Sequence, residues 1–291
     1  MHALIRPGSA LGRLEPLAGR VRVHRVDAAH SEAVRLCLGD IRPGAVVNAV
    51  RSRRSALDPL APVRDNVSAA ANLLVFAAES GCSRFVQLGS STEYEPRPGP
   101  IDESTPLRPT TLHGATKAAA TLVCGALAAD LGVDLVVLRP FNVYGPGDEP
   151  RHLIPTAIAA ALDGRELMLA PRGKRDWVFV SDVVDACLLA LDARVGGEEL
   201  NLGTGRQWSN EEVVSAIAEC IGRRIRVRID ERVARPWDRD DWVAEVAKAH
   251  ELLGWTPRHD LASGLRETIR WERARRPPSA VAASADVAGG A

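Results

Sequence analysis

The feature that most constrains this chain is a set of short, predominantly apolar segments, each with a single polar residue (Asn48, Gln87, Asp134), separated by longer ones with helical spacing. Residues 45–50, 85–88 and 133–138 are rich in Val, Leu, Ala and Phe and lack the alternating polar residues of a half-exposed strand. Residues 63–79 and 112–131 lie between them with the periodicity of helices, and Gly81 follows the first as a stop signal. Residues 1–6 and 21–26 read as two further strands, the first cut off by Pro7-Gly8, with a helix over 31–38. Buried strands joined through helices form right-handed βαβ units. The expected fold is therefore α/β, a Rossmann-like doubly wound parallel sheet with helices on both faces.

In such a sheet ligands sit beyond the carboxyl ends of the strands. The strand 133–138 leaves as Arg139-Pro140-Phe141-Asn142-Val143-Tyr144-Gly145-Pro146-Gly147, which reads as a Gly/Pro-rich loop and marks that end. Beyond it the pattern loosens into helices over 153–162, 209–221, 247–253 and 261–275 and strands over 175–180, 199–202 and 225–229. Ser181-Asp182 reads as the cap of a helix reaching Leu191. We expect a sheet domain over 1–147, rejoined by 176–205, and a smaller substrate domain from 148–175 and 206–275. Residues 276–291, nearly all small, are expected to form a disordered tail.

Composition removes several function classes. Lys+Arg and Asp+Glu each total 37, so no net charge argues for a nucleic acid or an acidic surface as partner. No apolar run approaches the ~18–20 residues of a membrane span. The five cysteines are scattered without a CxxC pair, which points to reduced thiols in a cytoplasmic protein and to no metal site.

Five blocks stand in one order: Ser90-Ser91-Thr92-Glu93-Tyr94, 139–147, 175–184, Asn201-Leu202-Gly203-Thr204-Gly205, and Leu253-Gly254-Trp255-Thr256-Pro257. Through them the chain resembles the extended short-chain dehydrogenase/reductases, the nucleotide-sugar epimerases and dehydratases. The resemblance implies a tightly held NAD or NADP and a nucleoside-diphosphate sugar bound between the two domains. By position Ser90 matches the family's catalytic Ser/Thr and Lys117 its lysine. Lys117 is one of only three lysines in a chain that otherwise uses arginine. The partner four residues earlier, on the same helix face, is His113 where the family has tyrosine. An alternative acid/base, a ligand contact and a relic are all open readings of it. Cofactor contacts implied by family position are Arg6, Asp27, Ala49, Asn66, Lys117 and Pro140. Substrate contacts are Ser91, Thr92, Asn142, His152, Arg175 and Arg235, the two arginines as planar forks for a diphosphate.

A second departure is that no Gly-x-x-Gly-x-x-Gly turn precedes the first segment; Met1 falls at the family's second strand. Omitting the central strand should leave two unpaired sheet edges. The family's 4,6-dehydratases carry Asp-Glu where Ser91-Thr92 stand here. The expected activity is therefore NAD(P)-dependent epimerisation or 4-ketoreduction of a nucleoside-diphosphate sugar, with a 4,6-dehydratase disfavoured. The alternative is a member that has lost redox chemistry and serves as a cofactor-free acid/base enzyme or accessory binding subunit. The resemblance implies a homodimer through helices 63–79 and 112–131, both of which carry the small apolar surface (Ala69, Ala70, Ala71, Ala119, Ala120) that close helix packing uses.

Overall fold

The computed structural model describes residues 1–12, 14–52, 58–234, 238 and 241–276. Arg235 and the expected tail beyond residue 276 lie outside the described residues. Strands β1 (His2–Ile5) and β2 (Arg22–Arg25) are followed by α1 (Ser31–Ile41) and β3 (Ala45–Asn48). A π-helical turn, Val63–Ser68, runs into α2 (Ala69–Glu79); then come β4 (Arg84–Leu88), β5 (Pro100–Ile101), α3 (Leu112–Leu131), β6 (Asp134–Pro140) and β7 (Asn142–Tyr144). The remainder is α4 (Leu153–Asp163), β8 (Glu166–Leu169), β9 (Lys174–Phe179), α5 (Val180–Asp192), β10 (Glu199–Leu202), β11 (Gln207–Ser209), α6 (Asn210–Ile221), β12 (Arg226–Ile229), β13 (Val243–Ala244), α7 (Ala247–Leu253) and α8 (Leu261–Ala274).

The main sheet has the order β10-β6-β4-β3 and is parallel throughout. Successive side chains leave opposite faces of a strand, and the apolar runs use both. Phe85, Leu135 and Val137 pack under α1, α2 and α3 with Val34, Leu74, Ala120 and Cys124. Val86, Val136 and Leu138 pack on the other side against Val183 and Ala186 of α5 and Trp255. A third apolar cluster joins α4, α6 and α8 to β8 and β9 through Ile158, Leu167, Trp177, Ile217 and Leu265.

The first two strands stand apart from the main sheet. Strands β1 and β2 pair only with each other, and among the described residues no strand bridges β1 to β3. Side chains span the break instead: Arg6 Nη2 donates to Asp65 at 2.8 Å and Asn72 Nδ2 to the carbonyl of Ala28 at 3.0 Å.

Three expectations need correction. Residues 139–147 are not all loop: β6 continues through Arg139-Pro140, and Asn142 begins β7, which pairs in parallel with β9. Ser181 and Asp182 do not cap α5; the N-cap is Phe179, without a side-chain bond, and the Asp182 carboxylate turns inward to Nδ1 of His259 at 2.8 Å. The helix expected over 63–79 opens as a π turn before becoming α-helical at Ala69.

Candidate active site

The site grows from the carboxyl end of β4. Ser90, the first polar residue past the strand, is the N-cap of a single 3₁₀ turn, Ser91–Glu93. Its Oγ lies 2.8 Å from Thr92 Oγ1 and accepts the Thr92 N–H at 3.2 Å. Helix α3 arrives beside this turn, fixed at its start by Thr111 Oγ1, which accepts the Gly114 N–H at 3.0 Å, and at its end by left-handed Gly132. Contact is close enough to require glycine: a Cβ on Gly114 would stand 2.1 Å from the carbonyl oxygen of Thr92.

One turn further along α3, Lys117 reaches over the sheet edge. Its Nζ donates to the carbonyls of Leu88 at 2.7 Å and Val50 at 3.0 Å, joining the ends of β4 and β3. Lys117 is only 5% exposed. Burial pulls its ammonium down to about 8, against the opposing charge of Glu93 and with help from Arg51. His113, four residues earlier, is pushed down to about 4 by burial first, then by the positive charges of Lys117 and Arg51. Ser90 and the Lys117 ammonium, which is bonded to the Leu88 carbonyl, thus lie at the carboxyl end of β4, with His113 one turn earlier on α3, and at neutral pH the imidazole is uncharged.

Beneath them lies a buried polar network. Glu93, fully buried, accepts the Ser90 N–H at 2.7 Å, the Thr121 hydroxyl at 2.9 Å and Nε of Arg139 at 3.1 Å. Arg139 is equally buried; its Nη1 donates to Tyr94 Oη at 2.9 Å and pairs with Glu199 at 2.8 Å. Tyr94 Oη in turn donates to Asn201 Oδ1 at 2.8 Å. Burial raises the Glu93 carboxyl, an effect that Arg139 and the Thr121 hydroxyl oppose.

The other sequence candidates are more dispersed. Ser91 Oγ accepts from Trp242 Nε1 at 3.0 Å, which draws the later part of the chain onto the serine turn. Asn142 sits in β7, and His152 Nδ1 lies 2.8 Å from Asp148 Oδ1 at the start of α4. Arg175 is engaged by Asp238 and donates to Asn210 Oδ1 at 2.8 Å. On the cofactor side, Arg6 is held by Asp65, Asp27 accepts the Ala29 N–H at 3.0 Å, and Ala49 lies exposed after β3. Pro140 stands opposite Leu202 at the end of β6. Asn66 has both ends of its amide occupied, by the Ser52 N–H at 2.9 Å and by Thr116 Oγ1 at 2.8 Å. Two surface depressions, of about 430 and 510 Å³, are lined by other residues, around Met1-His2 and around Glu103, Glu198 and Lys248. Among the described residues no group of three or more His, Cys, Asp or Glu is placed to hold a metal, and no helix is long and apolar enough to cross a membrane.

A model of the NAD dependent epimerase/dehydratase family matches residues 2–203. The chain belongs to this family. A UDP-glucose 4-epimerase of Azospirillum brasilense is 32% identical over 289 residues, covering 90% of this chain and 82% of that protein. A dTDP-glucose 4,6-dehydratase of Streptomyces niveus is 32% identical over 220 residues, 74% of this chain and 64% of its own length. Among solved structures, MoeE5 in complex with UDP-glucose and NAD superposes with a TM-score of 0.80 at 33% identity, covering 87% of this chain and 86% of that one. The complex of a Thermus thermophilus UDP-glucose 4-epimerase with NAD gives a TM-score of 0.83 at 26% identity over 94% and 91% of the two chains.

Within this epimerase/dehydratase frame, sequence reasoning missed Glu93 and the reach of Arg139. Their signal was there in retrospect: an arginine closing the apolar run 135–138, and a carboxylate three residues after an N-capping serine, the spacing of a capping box.

Proposed function

We propose that this chain interconverts the configuration or oxidation state of one carbon of a nucleoside-diphosphate sugar, as a 4-epimerase or 4-ketoreductase, using NAD or NADP. The observation that carries this reading is the buried Lys117 ammonium bonded to carbonyls at the ends of β3 and β4, the one on β4 lying two residues from Ser90, and one helical turn from a neutral His113 imidazole. The residues present fit the nicotinamide-ribose end of a dinucleotide: Lys117 has three donor hydrogens, of which the two carbonyls occupy two. Arg6 and Asp27 would flank the adenosine end. Bound there, the cofactor supplies hydride exchange at the sugar carbon. Ser90 then holds the reacting hydroxyl, His113 accepts its proton, and Lys117 offsets the negative charge that develops on that oxygen.

Against a 4,6-dehydratase stands the absence of a free carboxylate on the serine turn. Ser91 is tied to Trp242, Thr92 to Ser90, and Glu93 points inward to Arg139. A nucleotide sugar with its diphosphate near Arg175, and a homodimer through α2 and α3, complete the proposal. The outer face of α3 carries exposed Leu122 and Val123.

A second reading, a member without redox chemistry, draws on His113 standing where the family has tyrosine, its imidazole lowered to about 4 by burial and the Lys117 charge. One experiment separates the two. The purified protein is denatured, the supernatant is assayed for NAD(P), and the native protein is incubated with UDP-glucose and NAD under ¹H NMR. UDP-galactose supports the first reading, and a 4-keto-6-deoxy product would make it a dehydratase. No dinucleotide and no turnover, with retained binding of UDP-glucose, leaves the second.

A further inference from the structure

We propose that Glu93 is the positioning residue of this site: its buried carboxylate fixes Ser90 through the serine's own N–H and stands as counter-charge to Lys117. The inference rests on the reading of Ser90 and Lys117 given above, and its test is built to fail separately from it.

The geometry points one way. Donors from three elements meet on this carboxylate: the Ser90 N–H from the end of β4, Thr121 from α3 and Arg139 from β6. Thr121 is the residue one turn beyond Lys117, so it marks the helix face that Lys117 shares. The backbone is shaped around the group as well, because a Cβ on Gly89 would stand 2.5 Å from Glu93 Oε1. Arg139 does not need Glu93 for its own neutralisation, since Glu199 is paired with it at 2.8 Å. That leaves a fully buried negative charge whose remaining purpose is on the site side. Of the charges that bear on Lys117, the Glu93 carboxylate and the Cys124 thiol hold its ammonium up and Arg51 pulls it down, and His113 stands four residues earlier on the same helix face. A buried ammonium with two carbonyl partners stays protonated near neutrality only while an opposite charge is close.

The protein offers a direct probe, because its sequence holds only three lysines, Lys117, Lys174 and Lys248. Labelling lysine at ¹³Cε gives three signals, and Lys117→Met assigns the one of interest. In the unsubstituted protein that signal should titrate near 8. In Glu93→Gln, which keeps the shape and removes the charge, the midpoint should fall by about one pH unit or more, and kcat should fall with little change in KM. Glu93→Asp keeps the charge but draws it back by one methylene. Its midpoint should fall by less, while kcat drops because Ser90 loses its anchor. If Glu93→Gln does not fold, Glu93→Asp carries the test alone. A Lys117 midpoint unmoved by whichever variant folds overturns the inference. An active Lys117→Met would instead overturn the functional reading on which it rests.

Discussion

Replacing Lys117 with methionine should stabilise the protein while abolishing its activity. Holding the ammonium charged at pH 7, with its acid constant drawn from 10.5 to about 8, costs ~3 kcal/mol relative to the unfolded chain. Methionine of similar length removes that cost but leaves the carbonyls of Leu88 and Val50 without a donor, a loss of about 1–2 kcal/mol in total. The net gain of ~1–2 kcal/mol should appear as a rise in Tm of about 2–6 °C for a chain of this size. Between about pH 8 and 10.5 the unfolded wild-type chain binds a proton that the folded one does not, so wild-type stability rises with pH across that window. The advantage of the variant must therefore shrink from pH 8 upward and reverse once both states are neutral, leaving only the unmet carbonyls. Thermal or urea unfolding of both proteins at pH 7, 9 and 11 reads this out. A variant less stable at pH 7, or a difference that does not vary with pH, would refute the reasoning.

The opposite limb belongs to His113. Its acid constant is lowered to about 4 in the folded state, so the unfolded chain takes up a proton first as pH drops. The folded protein should lose up to ~3 kcal/mol between about pH 6.5 and 4, and His113→Phe should flatten that part of the urea-midpoint profile. Gly114→Ala forces a methyl against the Thr92 carbonyl and should cost ~1–3 kcal/mol, with kcat falling more than stability explains. Asp176, fully buried, accepts N–H groups of Thr204, Gly205 and Ala244 and the Thr204 hydroxyl. Asp176→Ala should destabilise by ~3 kcal/mol or more, seen as a lowered urea midpoint.

Helix α3 was legible from Leu112 to Leu131 because Thr111 and Gly132 announce its ends and alanine and leucine fill more than half of the stretch between them. The parallel order of β3, β4 and β6 followed from largely apolar runs joined through helices. What escaped was structure made by long-range pairing. Strand β13 is two residues long and exists only through its ladder with β5. Strand β7 reads as a Gly/Pro-flanked loop until β9 lies beside it. Asp182 looked like a helix cap because the sequence cannot show that His259, on the approach to α8, competes for its carboxylate. In the site, the helix positions were readable from spacing, whereas Glu93 was not: the donors that meet its carboxylate, from Ser90, Thr121 and Arg139, come from three elements that only the fold brings together.

The break between β1 and β3 bears on how the protein opens. A ladder transmits strain along every rung, but here the first two strands are joined to the rest by a few side-chain bonds and by the packing of α1 on α2. That segment should therefore open as its own cooperative unit while the remaining layers stay folded. Amide protons of residues 2–5 and 22–25 should then exchange with solvent well ahead of those in β4 and β6, and limited proteolysis should nick the chain first on that side.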